Sequence, residues 1–143
     1  MKMHSLDNNV NVKRVVSPVA IGTTGTGKTG VVIDRQGFGG VEFIVSYGTV
    51  TATNAVFTCV MKEGDVTGTL TSVADADMVG TESAIGLAAA VRTSGTTKNV
   101  TKKCGYKGNK RYVNVSISST VTAGTPIGID AVLFNPASTS SLS

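Results

Sequence analysis

Residues 127–133 read Ile127-Gly128-Ile129-Asp130-Ala131-Val132-Leu133, with apolar side chains at Ile127, Ile129, Ala131 and Leu133 and with Gly128 and Asp130 between them. Successive side chains of a strand point to opposite faces, so this period of two marks a strand with one buried face. The pattern recurs outward along the chain. Val41, Phe43, Val45 and Tyr47 share one face, Val113, Val115 and Ile117 alternate with Tyr112, Asn114, Ser116 and Ser118, and Phe57, Cys59 and Met61 form a fourth apolar row. Val10 to Ile21 and Gly30 to Asp34 are weaker strands, and Pro18 requires the first to lie at an edge or to bend. Turn-forming clusters fall at Gly22 to Thr29, Gly37 to Gly40, Gly64 to Gly68, Thr93 to Thr97 and Lys107 to Asn109. Ala84 to Val91 is helical by composition alone, and Gly86 and the missing polar face leave it unassigned. Seven or eight strands without long helical crossovers predict an all-β fold, an antiparallel, jelly-roll-like β-sandwich.

Composition agrees. The 143 residues include 21 Val, 20 Thr, 13 Ser and 17 Gly, so half the chain favours strands or turns. Only 15% of residues are charged and 41% are apolar, which excludes a chain kept disordered by charge. The length suits a single domain that buries roughly 70% of its unfolded surface. The expected organisation is a flexible arm over residues 1–9, a sandwich over 10–135 and a flexible tail over 136–143. No apolar run approaches the ~20 residues of a membrane helix, and the polar start of the chain does not read as a signal peptide.

Motifs that resemble chemistry lack its context. Gly22-Thr-Thr-Gly-Thr-Gly-Lys28-Thr29 fits the phosphate-binding P-loop pattern, but that loop must open a helix, and Gly30-Val31-Val32-Ile33-Asp34 reads as a strand. A Thr/Gly-rich hairpin loop with Lys28 in solvent is the reading taken. Asp75-Ala-Asp77-Met-Val-Gly80 starts like a calcium loop, but Gly86 stands where the bidentate acid belongs. His4 is the only histidine, so no serine or cysteine triad can be assembled around an ordered imidazole. Cys59 and Cys104 are too few for a zinc site and read as free buried thiols, with one disulfide as the alternative. No catalytic, cofactor or metal residues are assigned, and an enzyme is not expected. Few aromatics interleave the bases, so direct nucleic-acid binding is not expected either.

Charge is segregated beneath a net +4. Glu63, Asp65, Asp75, Asp77 and Glu82 have no base among them, whereas Arg92, Lys98, Lys102, Lys103, Lys107, Lys110 and Arg111 have no acid among them. These are either two solvated faces or surfaces that meet across subunits or face an acidic partner.

A series of short motifs, in order over roughly residues 10–134, resembles the capsid decoration (cement or head-stabilising) proteins of tailed bacteriophages and prophages. It runs through Asn11-Val-Lys-Arg-Val-Val-Ser-Pro-Val-Ala20, Val32-Ile-Asp-Arg-Gln-Gly-Phe38 and Val41 to Gly48. It continues with Ala55-Val-Phe-Thr58, Glu63-Gly-Asp65, Ala74-Asp-Ala-Asp-Met-Val-Gly-Thr-Glu82 and Gly105-Tyr-Lys-Gly-Asn-Lys-Arg-Tyr-Val113. The Gly/Thr loop, the two cysteines and the Ser/Thr tail depart from the pattern. The resemblance implies a jelly-roll-like sandwich that is made in the host cytoplasm and acts as a dimer or trimer in the virion, on the outer capsid surface. There it would clamp subunits of the major capsid protein, without cofactor, enzymatic activity or membrane. Asp7, Asn8, Asn9, Lys102, Lys103 and Lys107 are the candidate interface residues. A tail or head-tail connector component is the alternative in the same setting, and a P-loop nucleotide-binding protein is the alternative of another class.

Overall fold

The computed structural model describes residues 9–21, 27–90 and 98–136. The chain forms β1 (Val10–Ile21), β2 (Gly27–Lys28), β3 (Ile33–Asp34), β4 (Phe38–Tyr47), β5 (Phe57–Gly64) and β6 (Thr71–Ser72). There follow a 3-10 turn (Asp75–Asp77), β7 (Met78–Val79), a single helical turn α1 (Glu82–Ile85), β8 (Thr101–Tyr106), β9 (Tyr112–Ser119) and β10 (Thr125–Pro136). Every pairing is antiparallel. One sheet has the order β1-β10-β4-β8-β7 and the other β2-β9-β5-β6, with β3 also on β9. Counting β2 and β3 as one interrupted strand and β7 as an addition to the edge, one sheet holds the first, eighth, third and sixth strands. The other holds the second, seventh, fourth and fifth, which is the double Greek key of a jelly roll.

The core follows the period of two. Val41, Phe43, Val45 and Tyr47, Phe57, Cys59 and Met61, Val113, Val115 and Ile117, and Ile127, Ile129, Ala131 and Leu133 are all buried between the sheets. In β1 the neighbours Val15 and Val16 are both buried, which a regular strand forbids; a register shift between Arg14 and Val16 turns them to the same side. A second shift, between Val16 and Val19, flanks Pro18, so this strand both bends and lies at the edge.

Three local expectations are corrected. The strand expected over Gly30 to Asp34 is broken, because residues 29–32 leave β9 and cross toward β1, where the Val31 N–H donates to the Val15 carbonyl at 2.9 Å. Side chains of β9 replace the lost ladder: Ser116 Oγ accepts from the Gly30 N–H at 3.3 Å and Asn114 Nδ2 donates to the Gly30 carbonyl at 3.1 Å. That is why Asn114, expected to face solvent, is only 4% exposed. Lys28 is exposed as expected but lies in β2, paired with Ile117 rather than in a loop, and no helix follows Lys28-Thr29 where a P-loop must open one. The helical turn stands at Glu82–Ile85, overlapping the composition-based segment only at Ala84 and Ile85, because Thr81 Oγ1 caps the Ala84 N–H and the backbone is extended again at Gly86.

The open edges are blocked. β6 and β7 are two residues long, β1 carries Lys13, Arg14, Pro18 and its register shifts, and Glu82 Oε1 accepts the Met61 N–H on the outer edge of β5, where Leu87 also bonds Phe57.

Candidate interaction surface

Among the described residues, the expected interface lysines Lys102, Lys103 and Lys107 do not share one face. Asp7 and Asn8 lie outside the described residues, as do Arg92, the 93–97 turn, residues 22–26 and the tail from Ala137; Asn9 stands immediately before β1. Lys102 and Lys103 are neighbours on β8 and face opposite sides, as strand geometry requires. Lys102 sits across from buried Val45 and donates from Nζ to the Gly86 carbonyl at 3.0 Å, so it is tied into the fold. Lys103, across from Ile44, is exposed on the outer surface of the five-stranded sheet. Lys107 is exposed in the turn after β8, where its N–H donates to the Asp77 carbonyl.

Two bases of the basic stretch are engaged within the chain. Lys110 pairs with Asp65 at 2.8 Å, and Arg111 forms a two-pronged pair with Asp34 at 2.8 and 3.0 Å. Tyr106 donates its hydroxyl to Glu63, and burial together with that carboxylate pushes the phenol up to about 12. Arg35 closes the end of the sandwich: Nε donates to the Lys110 carbonyl at 2.5 Å, Nη2 to Gly108 at 2.6 Å and Nη1 to Phe38 at 3.0 Å, and its guanidinium lies 5.3 Å from the centre of the Tyr106 ring. The Gly105-to-Val113 motif is therefore a clasped hairpin with a structural task. Cys59 and Cys104 are free and buried, in β5 and β8 of different sheets, and burial pushes the Cys59 thiol up to about 11. The exposed Asp75 lies in the 3-10 turn, and no group of three or more His, Cys, Asp or Glu is placed to hold a metal among the described residues. No helix among them is long and apolar enough to cross a membrane.

The outer face of the five-stranded sheet is the surface that the sequence reading missed. Registration across its strands builds three rows. Val10, Phe134 and Gly40 form the first, Val12, Val132, Glu42, Gly105 and Val79 the second, and Arg14, Asp130, Ile44 and Lys103 the third. Val12 is 62% exposed, Val79 56% and Phe134 39%. A side chain at Gly40 would strike the Phe134 ring, with Cε2 only 2.6 Å from a Cβ there, so glycine lets this aromatic lie flat across β4. The face measures roughly 19 Å by 14 Å from strand spacing and rise, and it mixes exposed apolar side chains with two acids and two bases. Its signal in the sequence was the apolar residues out of phase with the core, Val12, Ile44, Val132 and Phe134.

No protein-family model matches the chain, and no curated protein does. Solved structures of similar shape include infectious bursal disease virus VP2 in a subviral particle, at 9% identity over 90% of this chain and 32% of that one, with a TM-score of 0.50. They also include the SPBc2 prophage-derived protein YomS, at 9% identity over 87% and 91% of the two chains with a TM-score of 0.49. A structure from Bacillus endospore appendages, described as disulfide-linked pili, shares 15% identity over 90% and 89%, with a TM-score of 0.44. The chain spans about a third of the VP2 chain. At these identities the likeness is one of fold, an all-β sandwich that also occurs in a viral capsid protein.

Proposed function

We propose that this chain is a non-enzymatic structural virion protein that binds the outside of an icosahedral phage capsid and stabilises contacts between major capsid subunits. The observation that carries the reading is the outer face of the five-stranded sheet, an exposed apolar and mixed-charge surface on a sandwich whose edges are blocked. Its area, about 270 Å² from the strand spacings, is well below the roughly 800 Å² per partner of a standard stable interface. Such a face holds poorly one to one. It holds well when an oligomer presents several copies to a repeating lattice, because each later contact is intramolecular. A shell of identical subunits supplies that lattice, and a dimeric or trimeric state, itself part of this proposal, would supply the copies. The blocked edges favour attachment by a face rather than by strand addition. The fold shared with a viral capsid protein is compatible with this setting.

The test is to mix the purified chain with expanded, undecorated shells of the phage or prophage that encodes it and to measure occupancy on a density gradient. Val12→Glu and Val79→Glu, both at exposed positions, are expected to abolish binding while leaving the unfolding midpoint near that of the parent. Lys103→Glu is expected to weaken binding and to reduce its salt dependence, whereas Lys102→Glu, being tied to Gly86, is expected to act on stability. Full occupancy by the Val12→Glu, Val79→Glu double variant would refute the reading.

A further inference from the structure

The outer face of the five-stranded sheet is arranged symmetrically about its middle strand, β4. In the second row β4 supplies Glu42, and the two outermost strands, β1 and β7, each supply an exposed valine, Val12 and Val79. In the third row Ile44 of β4 is flanked by the exposed Asp130 on β10 and the exposed Lys103 on β8, opposite charges one strand away on either side. In the first row the Phe134 ring lies over Gly40, which places an exposed aromatic on β4 itself. Glu42 is the one charged residue of β4 in these rows. Its carboxylate leans sideways over Gly105 of β8, with Oε2 only 2.8 Å from where a Cβ would stand there. Glu42, Asp130 and Lys103 join no ion pair among the described residues.

We propose that this face pairs with the same face of a second copy of the chain, about a twofold axis that lies in the plane of contact and runs along β4. Such an axis exchanges β1 with β7 and β10 with β8 while each row stays in place. On the axis, the two Phe134 rings meet over the Gly40 positions and Ile44 meets Ile44. Off the axis, Asp130 of each copy faces Lys103 of the other, and Val12 faces Val79. The two Glu42 carboxylates lean to opposite sides, so they do not confront each other. Two twisted sheets ordinarily pack face to face at about −30°, and this axis produces that angle with each β4 inclined by about 15°. An axis across the strands, through the second row, would instead set Asp130 on Phe134 and leave Lys103 without an acid. The planar face of about 270 Å² per copy is a third of the roughly 800 Å² of a stable interface, so the pair is weak, with Kd on the order of 0.1–1 mM. It turns both faces inward and is therefore not the assembly that presents them to a shell. Resting on the capsid reading, it is the form in which concentrated free chain keeps this surface covered until a shell takes it.

Sedimentation equilibrium of the full chain at low salt, without shells and over about 0.02–2 mM, reads the pairing as a concentration-dependent doubling of mass, whatever the mass at the lowest concentration. Asp130→Lys and Lys103→Glu, both at exposed positions, each turn the two cross-axis attractions into repulsions. Each is expected to weaken the doubling about 5- to 30-fold, the sum of two exposed charge pairs. An equal mixture of the two single variants is expected to pair within about 3-fold of the parent, because every cross-axis pair is then again of opposite sign. That restoration distinguishes this register from any loss of folding and from association through another surface. A chain that shows no doubling, a doubling that neither charge change weakens, or a mixture that pairs no better than its components overturns the proposal. No shell enters the assay, so a chain that stays unpaired leaves capsid attachment standing, and one that pairs but never decorates shells loses the capsid reading alone.

Discussion

Replacing Arg35 by alanine tests whether the clasp holds the end of the sandwich. The side chain is half-buried and makes three hydrogen bonds to carbonyls of Phe38, Gly108 and Lys110 and one contact with the Tyr106 ring. At about 1 kcal/mol for each bond and ~0.5–1 kcal/mol for the ring, the gross loss is roughly 3.5–4 kcal/mol. The truncated variant regains up to about 2 kcal/mol of side-chain freedom, and water reaches part of the exposed carbonyls. The net expectation is about 2 kcal/mol, which for a chain of this size lowers Tm by roughly 6–10 °C. Arg35→Lys keeps the charge but not the planar fork, and retains about half of the stability. Urea unfolding followed by circular dichroism measures both, with an unchanged slope m because the surface exposed on unfolding is the same. A loss below ~0.5 kcal/mol in Arg35→Ala, on the scale of an ordinary surface change, would refute this account of the hairpin motif.

Further outcomes follow from burial and close contact. A thiol reagent at pH 8 is expected to leave Cys59 and Cys104 unmodified over minutes in the native protein and to label both in urea; rapid native labelling would show that the core opens. Folded-state Cys59 and Tyr106 hold their protons to about 11 and about 12, against ordinary values of 9.0 and 10.0. Their contribution is therefore complete below pH 9 and is lost as pH rises from 9 to 12, so the urea midpoint is expected to fall over that window. Tyr106→Phe should remove the Tyr106 share of the fall that begins near pH 10, the buried and likewise upward-shifted Tyr47 supplying the rest, and an unchanged pH profile in this variant would contradict the assignment. Gly30→Ala is expected to cost about 3 kcal/mol or more, read by the same unfolding assay, because the added methyl would meet the Val115 carbonyl and lie 2.6 Å from Val15 Cγ1.

The parts of the fold that the sequence disclosed are those in which one strand repeats its own alternation. β4, β5, β9 and β10 each bury a full row, so the pattern of one segment sufficed. β2 and β3 were less legible because their break depends on contacts with distant β9 and β1, which Gly30 does not announce. Asn114 sits in the outward phase and is buried only because residues 29–32 pass over it. The ion pair of Asp65 with Lys110 was illegible for a related reason: the two are far apart along the chain and become neighbours only when the β8–β9 hairpin folds against the end of β5. The outer sheet face was overlooked because alternation draws the eye to one phase, and Val12, Ile44, Val132 and Phe134 occupy the other.

The pairing of β1 with β10, in which Val10 stands opposite Phe134, brings the first and last strands of the fold side by side. During folding that pair must close a loop of nearly the whole chain, at an entropic cost of about 4 kcal/mol on a (3/2)RT ln n scale, and high contact order of this kind makes a β fold slow to assemble. A circular permutant that links these two strands by a short turn and opens the chain in the exposed turn between β5 and β6 would make the same pairing local. The finished architecture would be unchanged, and its folding rate would rise because the most distant encounter in the chain had become a hairpin.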